Sequence, residues 1–331
     1  MEPALHFGSL TIWPPLLLAP MAGLTHSALR TTILLFGGVG LLSTEMLSAA
    51  RLPAENPRLS PFLIRSPEEQ PLSHQLLVST EQQIPQAMER LEAIGADAVD
   101  LNLGCPAPQV RNLGGGALLM EKPDLVRRIV SQARRHTALP LSAKIRLGEN
   151  LNEDKLCSFC RMLEGEGIDL LTVHARLRAE PFARKPRWDW VAKVKEWLGI
   201  PVVANGSIDS VASARACLVT TGADGLMIGR RAASAPWIFA KIAREVYGMP
   251  VPESALSCPT VYQHFSQALA CRFPPERRLG RLKEFTHHFA KNYAFGHHLA
   301  SSVQSSASFE EACERARAFF QQHSPERAEE L

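Results

Sequence analysis

Short apolar runs bounded by turn-forming residues recur along most of the chain. Runs of this length and composition are typical of buried strands. We predict eight strands, at Leu16–Pro20, Leu41–Met46, His74–Val78, Ala98–Leu103, Leu141–Leu147, Leu170–His174, Pro201–Asn205 and Leu226–Gly229. Between most of them, apolar residues recur at helical spacing, so the pattern alternates strand and helix.

The segments at helical spacing are Ile84–Ile94, Pro123–His136, Asp154–Glu164, Asp189–Leu198 and Ser210–Val219. A helix-stop signal, a glycine followed by an apolar residue and Asp, precedes three of the strands, at Gly95, Gly167 and Gly222. Eight strands alternating with helices predict the α/β class and a (β/α)₈ TIM barrel. The competing doubly wound sheet would carry a glycine-rich dinucleotide fingerprint after its first strand, and Ala19–Gly23 is not one.

The pattern changes after Tyr247. The segment Gly248–Pro252 contains two prolines and a glycine and is typical of a linker. Strand-like runs are missing beyond it. We predict helices at Thr260–Arg272, Pro275–Tyr293 and Phe309–Gln322, with a break in the Ser/Ala-rich piece 301–308. The chain is therefore predicted to form a barrel domain over residues 1–248 and an all-helical bundle over residues 253–331.

Composition adds limits on the class of protein. With 331 residues, 46% of them hydrophobic, the chain can bury a large core, and its formal charge of +3 does not by itself indicate nucleic acid. The seven scattered cysteines favour a reducing compartment. Cys157 and Cys160 form the only CxxC pair, without a nearby histidine, so we expect no metal site. Leu16–Leu18 is too short to span a bilayer, and we expect a cytoplasmic protein with no membrane segment.

Two segments are locally basic. Residues 176–197 carry seven Lys or Arg against three acids, together with three tryptophans, and residues 105–136 carry six against two. Most such runs are solvated helix faces, and contact with phosphate groups is the alternative.

Polar or turn-forming residues stand at the carboxyl end of every predicted strand. They are Pro20-Met21, Glu45, Gln75, Asn102 with Cys105, Lys144 with Arg146, His174 with Arg176, Asn205-Gly206 and Gly229-Arg230. In a TIM barrel these ends form one rim, where the active site lies, and phosphate is commonly held after the last two strands. The glycines there allow close backbone approach, and Arg230 can bind a phosphate with two hydrogen bonds. The pattern predicts a phosphate-bearing ligand.

The stretch Ala98–Pro106, followed by the three glycines 114–116, is the part of the rim richest in candidate chemistry. Asn102 and Cys105 stand where a strand passes into a loop. Taken alone, this stretch fits a reactive site or a buried strand followed by an inert thiol about equally well.

The motifs together resemble those of the tRNA-dihydrouridine synthases, flavoenzymes that reduce uridines in tRNA. The strings that carry the resemblance are Ala19–Thr25, Thr44–Met46, Asn102–Pro106, Gly114–Leu119, Lys144–Gly148, Val173–Arg176, Val203–Gly206 and Met227–Arg230. They run in order through the whole predicted barrel. The resemblance implies a flavin-binding barrel followed by a helical bundle that helps to hold the tRNA.

The resemblance also implies FMN at the barrel mouth, with NADPH, or NADH, as the reductant. The residues it assigns to FMN are Pro20, Met21 and Ala22 under the ring, Gln75 and Lys144 at its polar edge, His174 beside it, and Asn205, Gly206, Ser207, Gly229 and Arg230 around the phosphate. A lysine at that edge favours the anionic reduced flavin.

Cys105 is the expected general acid, which protonates C5 of the uracil after hydride reaches C6. A thiol suits this role because it is mostly protonated at neutral pH and still able to release its proton. Asn102 is expected to hydrogen-bond the uracil, and Arg146, Arg176 and Arg178 to contact the tRNA. The basic cluster 184–187 extends that surface. The expected partner is tRNA, and the protein is expected to be a monomer.

Several residues depart from the family pattern: His26 replaces Asp, Gln109 replaces Lys, Ala175 replaces Gly and Leu177 replaces Thr. These departures concern the expected RNA contacts rather than the flavin contacts. Two alternatives stay open. One is an FMN-dependent oxidoreductase of a free pyrimidine, similar to dihydroorotate dehydrogenases, and the other is a non-catalytic RNA-binding protein on the same fold.

Overall fold

The computed structural model describes residues 4–57 and 59–324. Its centre is a closed barrel of parallel strands, which confirms the predicted fold class. The strands that build it are β3 (Leu16–Leu18), β4 (Leu42–Ser43), β5 (Leu47–Ser48), β6 (Leu72–Leu77), β7 (Ala98–Leu103), β8 (Leu141–Ile145), β9 (Leu170–His174), β10 (Val202–Asn205) and β11 (Gly225–Ile228). The barrel closes where the Leu18 N–H donates to the Leu41 carbonyl at 2.9 Å.

The strand bounds agree with the predicted ones to within a few residues, and those of β7 and β9 agree at both ends. The prediction of one strand over Leu41–Met46 is wrong in detail. That segment forms β4, and β5 follows it after a gap at Thr44–Met46, and both strands pair with β6. The gap places Glu45 on an irregular stretch of backbone at the rim.

An antiparallel hairpin that the sequence pattern did not predict precedes the barrel. It consists of β1 (Leu5–Phe7) and β2 (Leu10–Ile12), two strands of three residues each. Phe7 and Ile12 are fully buried and pack against interior side chains at the amino-terminal ends of the barrel strands. The hairpin therefore closes the amino-terminal end of the barrel, and ligands have access from the other end.

Helices surround the barrel and continue beyond it. They are α1 (Ser27–Leu34), α2 (Ile84–Ala93), α3 (Pro108–Asn112), α4 (Pro123–His136), α5 (Glu153–Gly165), α6 (Trp188–Trp197), α7 (Val211–Thr221), α8 (Arg230–Ser234), α9 (Ile238–Tyr247), α10 (Cys258–Arg272), α11 (Arg278–Phe289), α12 (Gly296–Gln304) and α13 (Phe309–Gln322). Gly95, Gly167 and Gly222 all have positive φ angles, which confirms them as stop signals before the next strand.

The helices α10 to α13 form a bundle at the carboxyl-terminal end of the chain. Its interior is rich in aromatic rings, and Phe265 and Phe285 stack at 3.7 Å between ring centroids. The predicted break over 301–308 is shorter in the structure, where residues 305–308 separate α12 from α13. Helix α12 itself was not predicted. The bundle contacts the barrel domain through α10 against α1 and α11 against α8. The last seven residues of the predicted bundle domain lie outside the described residues, and the division into two domains stays a prediction.

None of the helices described is both long and apolar enough to cross a membrane.

Candidate active site at the barrel mouth

The side chains inside the barrel change from apolar to polar along its axis. Residues two apart on a strand face the same side, so Ala98, Asp100 and Asn102 of β7 all point inward. Ala98 belongs to the apolar cluster closed by the hairpin, whereas Asp100 and Asn102 lie nearer the rim. The strand register places Ser142 beside Asp100 and Lys144 beside Asn102. The predicted rim residues thus rest on a buried polar layer.

A chain of hydrogen bonds joins this layer to the loop that carries Cys105. Asp100 accepts from Gln75 Nε2 and from Ser142 Oγ, both at 2.6 Å. Gln75 Oε1 accepts from Asn102 Nδ2 at 2.8 Å. Asn102 Oδ1 in turn accepts from the backbone N–H of Gly104 and Cys105, at 3.2 and 3.0 Å. Asn102 therefore holds the start of the Cys105 loop in place.

Glycine 116 fixes the other side of that loop. Its φ angle is +65°, and an added Cβ would lie 2.5 Å from the Cys105 carbonyl oxygen. That carbonyl accepts from the Ala117 N–H at 2.9 Å. Cys105 is partly exposed, whereas Cys160, Cys217 and Cys258 are buried. The structure thus places this thiol at the mouth rather than in the packed interior, as the reactive-site interpretation requires.

Lys144 supplies a cation at the mouth. Burial lowers its pKa to about 8, against the opposing effect of the Asp100 carboxylate. Within the described residues it forms no ion pair closer than 4 Å, so its ammonium group is available to an anionic ligand. Its charge interacts with Cys105, which indicates that the two groups are near one another.

His174 is neutral in this site. Burial lowers its pKa far below the usual value, and the charges of Lys144 and Arg146 lower it further. Its Nε2 atom lies 3.0 Å from Arg176 Nη1, and because an arginine can only donate, this nitrogen accepts. The proton must then sit on Nδ1, which makes His174 a hydrogen-bond donor through that atom.

The backbone after β10 has the shape of a cradle. Gly206 has a φ angle of +122°, and an added Cβ would lie 3.0 Å from Arg176 Nη1. Ser207 is the only residue other than glycine with positive φ in the described chain, at +54°. Asn205 Nδ2 donates to the Met227 carbonyl at 2.7 Å and ties this strand end to the next. The predicted phosphate-binding residues thus lie together, next to Gly229 and Arg230 at the end of β11.

The predicted ring-side residues form a loop after β3. The Met21 N–H donates to Thr25 Oγ1 at 2.9 Å, and the Gly23 N–H donates to Glu45 Oε1 at 2.5 Å. Pro20 and Met21 are partly exposed and Ala22 is exposed. Glu45 is 4% exposed, and burial raises its pKa. Its role at the rim is thus to hold this loop.

The arginines predicted to contact substrate lie deeper than expected. Arg176 is 1% exposed, and its guanidinium donates to the carbonyls of Arg184 and Phe182, to Ser207 Oγ and to His174. These contacts make it the anchor of the 177–187 loop, and a role at the substrate stays a prediction. Arg146 is 2% exposed and donates to the Leu177 carbonyl at 2.8 Å.

The outer basic residues are partly neutralised. Arg178 pairs with Glu149, and both Arg184 and Arg187 pair with Glu180. The hydrogen bond from Arg187 is the main reason why the pKa of Glu180 falls to about 2. Glu180 and Glu149 therefore offset part of the positive potential that the arginines of the 177–187 loop would present to a phosphate.

Phe182 is a rim residue that the sequence interpretation missed. It is 49% exposed, stacks on His174 at 5.9 Å between ring centroids, and lies under the guanidinium of Arg230 at 4.5 Å. The sequence signal for it is an aromatic residue inside the basic segment 176–197, which also carries three tryptophans.

The departures from the family pattern lie in different surroundings. His26 is 1% exposed and packs against Phe265 and Phe273 of the bundle. Ala175 is fully buried, and Gln109 is exposed on α3. The His26 departure therefore concerns the contact between barrel and bundle, not an exposed RNA surface.

The donor set at the mouth fits an anionic ligand that can also accept and donate hydrogen bonds. Lys144 and Arg230 offer two cationic groups, Gly206 leaves room for close approach, and the buried Arg146 Nε and Thr172 Oγ1 atoms have no protein partner. In the described part of the chain, no cluster of three or more His, Cys, Asp or Glu residues could hold a metal ion.

The model of the dihydrouridine synthase family matches residues 17–329 of this chain. The chain is 36% identical over 239 residues to a probable tRNA-dihydrouridine synthase 1 of Synechocystis sp., covering 72% of this chain and 67% of the relative. It is 33% identical over 307 residues to a tRNA-dihydrouridine(16) synthase of Aquipseudomonas alcaligenes, covering 90% of this chain and 96% of that protein.

Solved structures with a similar fold match this chain at low sequence identity. A 2-naphthoyl-CoA reductase complex superposes with a TM-score of 0.54 at 12% identity over 75% of this chain, which spans about half (52%) of that protein. Morphinone reductase in complex with tetrahydroNAD gives a TM-score of 0.52 at 13% identity, covering 76% of this chain and 92% of the other. At this identity the likeness shows the fold alone.

Proposed function

This chain belongs to the dihydrouridine synthase family, and from that premise we propose that it reduces a uridine of tRNA to 5,6-dihydrouridine, with FMN as cofactor and NADPH as reductant. The observation that carries the proposal is the convergence of Cys105, Asn102, Lys144, His174 and Arg230 on one rim of the barrel. A flavin bound there supplies the hydride for C6 of the uracil.

The residues of the mouth bind and orient the cofactor in this proposal. Gly206, Ser207 and Arg230 would hold its phosphate, and Pro20, Met21 and Ala22 would contact its ring. Lys144 stabilises negative charge at the polar edge of the ring. His174, neutral and protonated on Nδ1, donates a hydrogen bond beside it.

Cys105 delivers the proton. Its Sγ–H bond breaks as the proton passes to C5 of the uracil, and the thiolate regains a proton from solvent through the partly exposed mouth. Hydride at C6 and proton at C5 account for the two hydrogens of the product. Lys144 and Arg146 carry positive charges near the sulfur and stabilise the thiolate that remains.

The tRNA must present its uridine as a flipped base, because a stacked base cannot reach the bottom of the mouth. We assign contacts with the RNA backbone to Arg178, to the 184–187 cluster and to the helical bundle, and we propose that the protein acts as a monomer. The relative named for position 16 is aligned with 90% of this chain and over 96% of its own length. Position 16 is therefore the uridine we propose first.

The test is to incubate the purified protein with FMN, NADPH and unmodified tRNA transcripts, and to map modified uridines by mass spectrometry. We expect one uridine to gain two hydrogens and the Cys105→Ala protein to leave it unchanged. Parallel reactions with NADH, free uridine and orotate separate the reductants and the small-molecule alternative. A protein that binds tRNA but takes up no flavin would instead favour a non-catalytic role.

A further inference from the structure

Asp100 occupies a central place beneath the mouth, although it carries none of the roles assigned above. It is 5% exposed and lies between Gln75 on β6 and Ser142 on β8 in the strand register. Each carboxylate oxygen accepts one hydrogen bond at 2.6 Å, Oδ2 from Gln75 Nε2 and Oδ1 from Ser142 Oγ. No other side chain of the described interior links three neighbouring strands in this way through one carboxylate.

The chemistry of a carboxylate gives this chain of hydrogen bonds a direction. An ionised Asp100 can only accept, so the amide of Gln75 must turn its Nε2 toward it and its Oε1 away. Gln75 Oε1 then accepts from Asn102 Nδ2 at 2.8 Å. The amide of Asn102 is thereby turned so that its Oδ1 faces the N–H groups of Gly104 and Cys105.

Neither amide has a preferred direction of its own. A flipped Gln75 would bring Nε2 toward Asn102, and a flipped Asn102 would bring its NH₂ group against the two backbone N–H groups of the Cys105 loop. In that arrangement the Asn102 NH₂ group faces the N–H groups of Gly104 and Cys105, so the loop loses both of its hydrogen bonds to Asn102. The direction of the chain is therefore set from its two ends, by the Asp100 carboxylate, which cannot donate, and by the backbone N–H groups of Gly104 and Cys105, which cannot accept.

We propose that Asp100 is a positioning residue, whose carboxylate sets the direction of the Gln75 and Asn102 amides and so holds the Cys105 loop in its reactive place. The proposal deepens the proposed function, because it concerns the seat of the proposed proton donor. Burial raises the pKa of Asp100. The hydrogen bonds from Gln75 and Ser142 and the charge of Lys144 oppose that rise and favour the ionised carboxylate.

The variants that test it act on the polarity of the chain rather than on its volume. Gln75→Glu sets a second carboxylate against Asp100 and breaks the contact. In the double variant Asp100→Asn with Gln75→Glu, the new amide can donate to one oxygen of the new carboxylate, and the other oxygen still accepts from Asn102. Ser142→Ala is the matched control, because it removes a bond to Asp100 without changing the direction of Gln75.

The readout is the rate at which iodoacetamide alkylates Cys105 in the apoprotein, followed by peptide mass spectrometry, together with the amide chemical shift of Cys105. We expect Gln75→Glu to change the alkylation rate at least threefold and the double variant to return it to within twofold of the parent. Ser142→Ala should lower the melting temperature and leave the Cys105 rate unchanged. A denaturation curve is recorded for each variant to check that it is folded.

Alkylation changes that simply add in the double variant, or a Gln75→Glu protein with the parental Cys105 rate and shift, would overturn the proposal. In an Asp100→Asn protein, the amides of Gln75 and Asn102 should populate both of their orientations. Turnover should then fall about tenfold, with KM for tRNA unchanged. Because the alkylation measurements need neither flavin nor tRNA, they decide about Asp100 even if the proposed reaction is not observed.

Discussion

The two ends of the barrel interior are built by the same strands and differ sharply in chemistry. At the amino-terminal end, Ala98, Leu170 and Val203 pack with Phe7 and Ile12 of the hairpin. Two to four residues further along the same strands, the inward side chains are Asp100, Asn102, Thr172, His174 and Asn205. The apolar end gains free energy from burial, whereas each buried polar group must recover the cost of its desolvation through hydrogen bonds.

The polar end recovers that cost incompletely. Thr172 Oγ1 and Arg146 Nε are buried without a protein partner, and Lys144 stands in the described chain without an ion pair. Such groups lower stability in the free protein and gain partners when a ligand binds. The comparison indicates that one end of the barrel maintains the fold and the other is kept ready for a ligand, so substitutions at the two ends should separate stability from activity.

Cys105→Ala should produce the largest effect. The polar end loses the proposed proton donor and little packing, because Cys105 is partly exposed and its backbone contacts with Asn102 and Ala117 remain. We expect turnover of tRNA to fall by about 10²- to 10⁴-fold. The melting temperature and the amount of bound flavin should stay close to those of the parent.

Cys157→Ala is the matched control, since this cysteine lies on α5 outside the barrel and should leave turnover unchanged. A Cys105→Ala enzyme that keeps a tenth or more of the parental rate would assign the proton to another group.

Phe7→Ala tests the apolar end. Phe7 is fully buried, and its removal opens a cavity beneath the barrel. We expect a loss of about 3–5 kcal/mol of unfolding free energy, measured by chemical denaturation. Flavin affinity per folded molecule should not change, because the mouth lies at the other end of the strands. Leu35→Ala, at a residue 41% exposed, should change stability by less than about 0.5 kcal/mol.

The same division explains what could be predicted from the sequence. The strands and the residues at their carboxyl ends follow from local pattern, because each strand carries its own apolar run and its own polar end. The hairpin at residues 5–12 was missed because strands of three residues leave no periodic signal. The burial of Arg176 could not be predicted either, since it depends on carbonyl groups that the 177–187 loop folds back toward it.

The network around Asp100 belongs to the part that only the fold reveals. Gln75, Asp100 and Ser142 are far apart in the chain and become neighbours through the register of three strands. A sequence pattern places each of them inside a strand but does not say which side chains share a level of the barrel. Phe182 is a similar case, because its contacts with His174 and Arg230 join three separate loops.

Lys144 allows the polar end to be titrated. Its pKa of about 8 means that the ammonium form, which attracts an anion, dominates below that pH. In the proposed function the bound FMN anion raises this pKa, so its affinity should be constant below about pH 8 and fall by up to about tenfold for each pH unit above it. Fluorescence titration of the apoprotein between pH 6.5 and 9.5 measures this, within the range in which the protein stays folded.

The Lys144→Met protein should bind FMN more weakly and without this pH dependence. An affinity that falls equally in the parent and in Lys144→Met would place the responsible proton elsewhere, with Cys105→Ala as the next variant to titrate.

The smallest effect concerns His26, whose ring is buried without hydrogen-bond partners at the contact between barrel and bundle. Both ring nitrogens lack hydrogen bonds, and burial, followed by the charges of Arg281 and Arg30, lowers its pKa well below 6.5. Below pH 6.5 the unfolded chain therefore takes up a proton that the folded protein does not, and stability falls as the pH falls. His26→Leu should raise stability by about 1 kcal/mol at pH 7.

The same substitution should reduce the loss of stability between pH 6.5 and 5.5 by up to about 1.4 kcal/mol, the contribution of one proton. Denaturation curves at several pH values measure both effects. Some acid sensitivity will remain, because burial also lowers the pKa of His74 to about 3 and that of His174 further. If His26→Leu instead destabilises the protein at every pH, the imidazole stabilises the contact between barrel and bundle. In that case the cost of buried polar groups without partners would be confined to the mouth of the barrel.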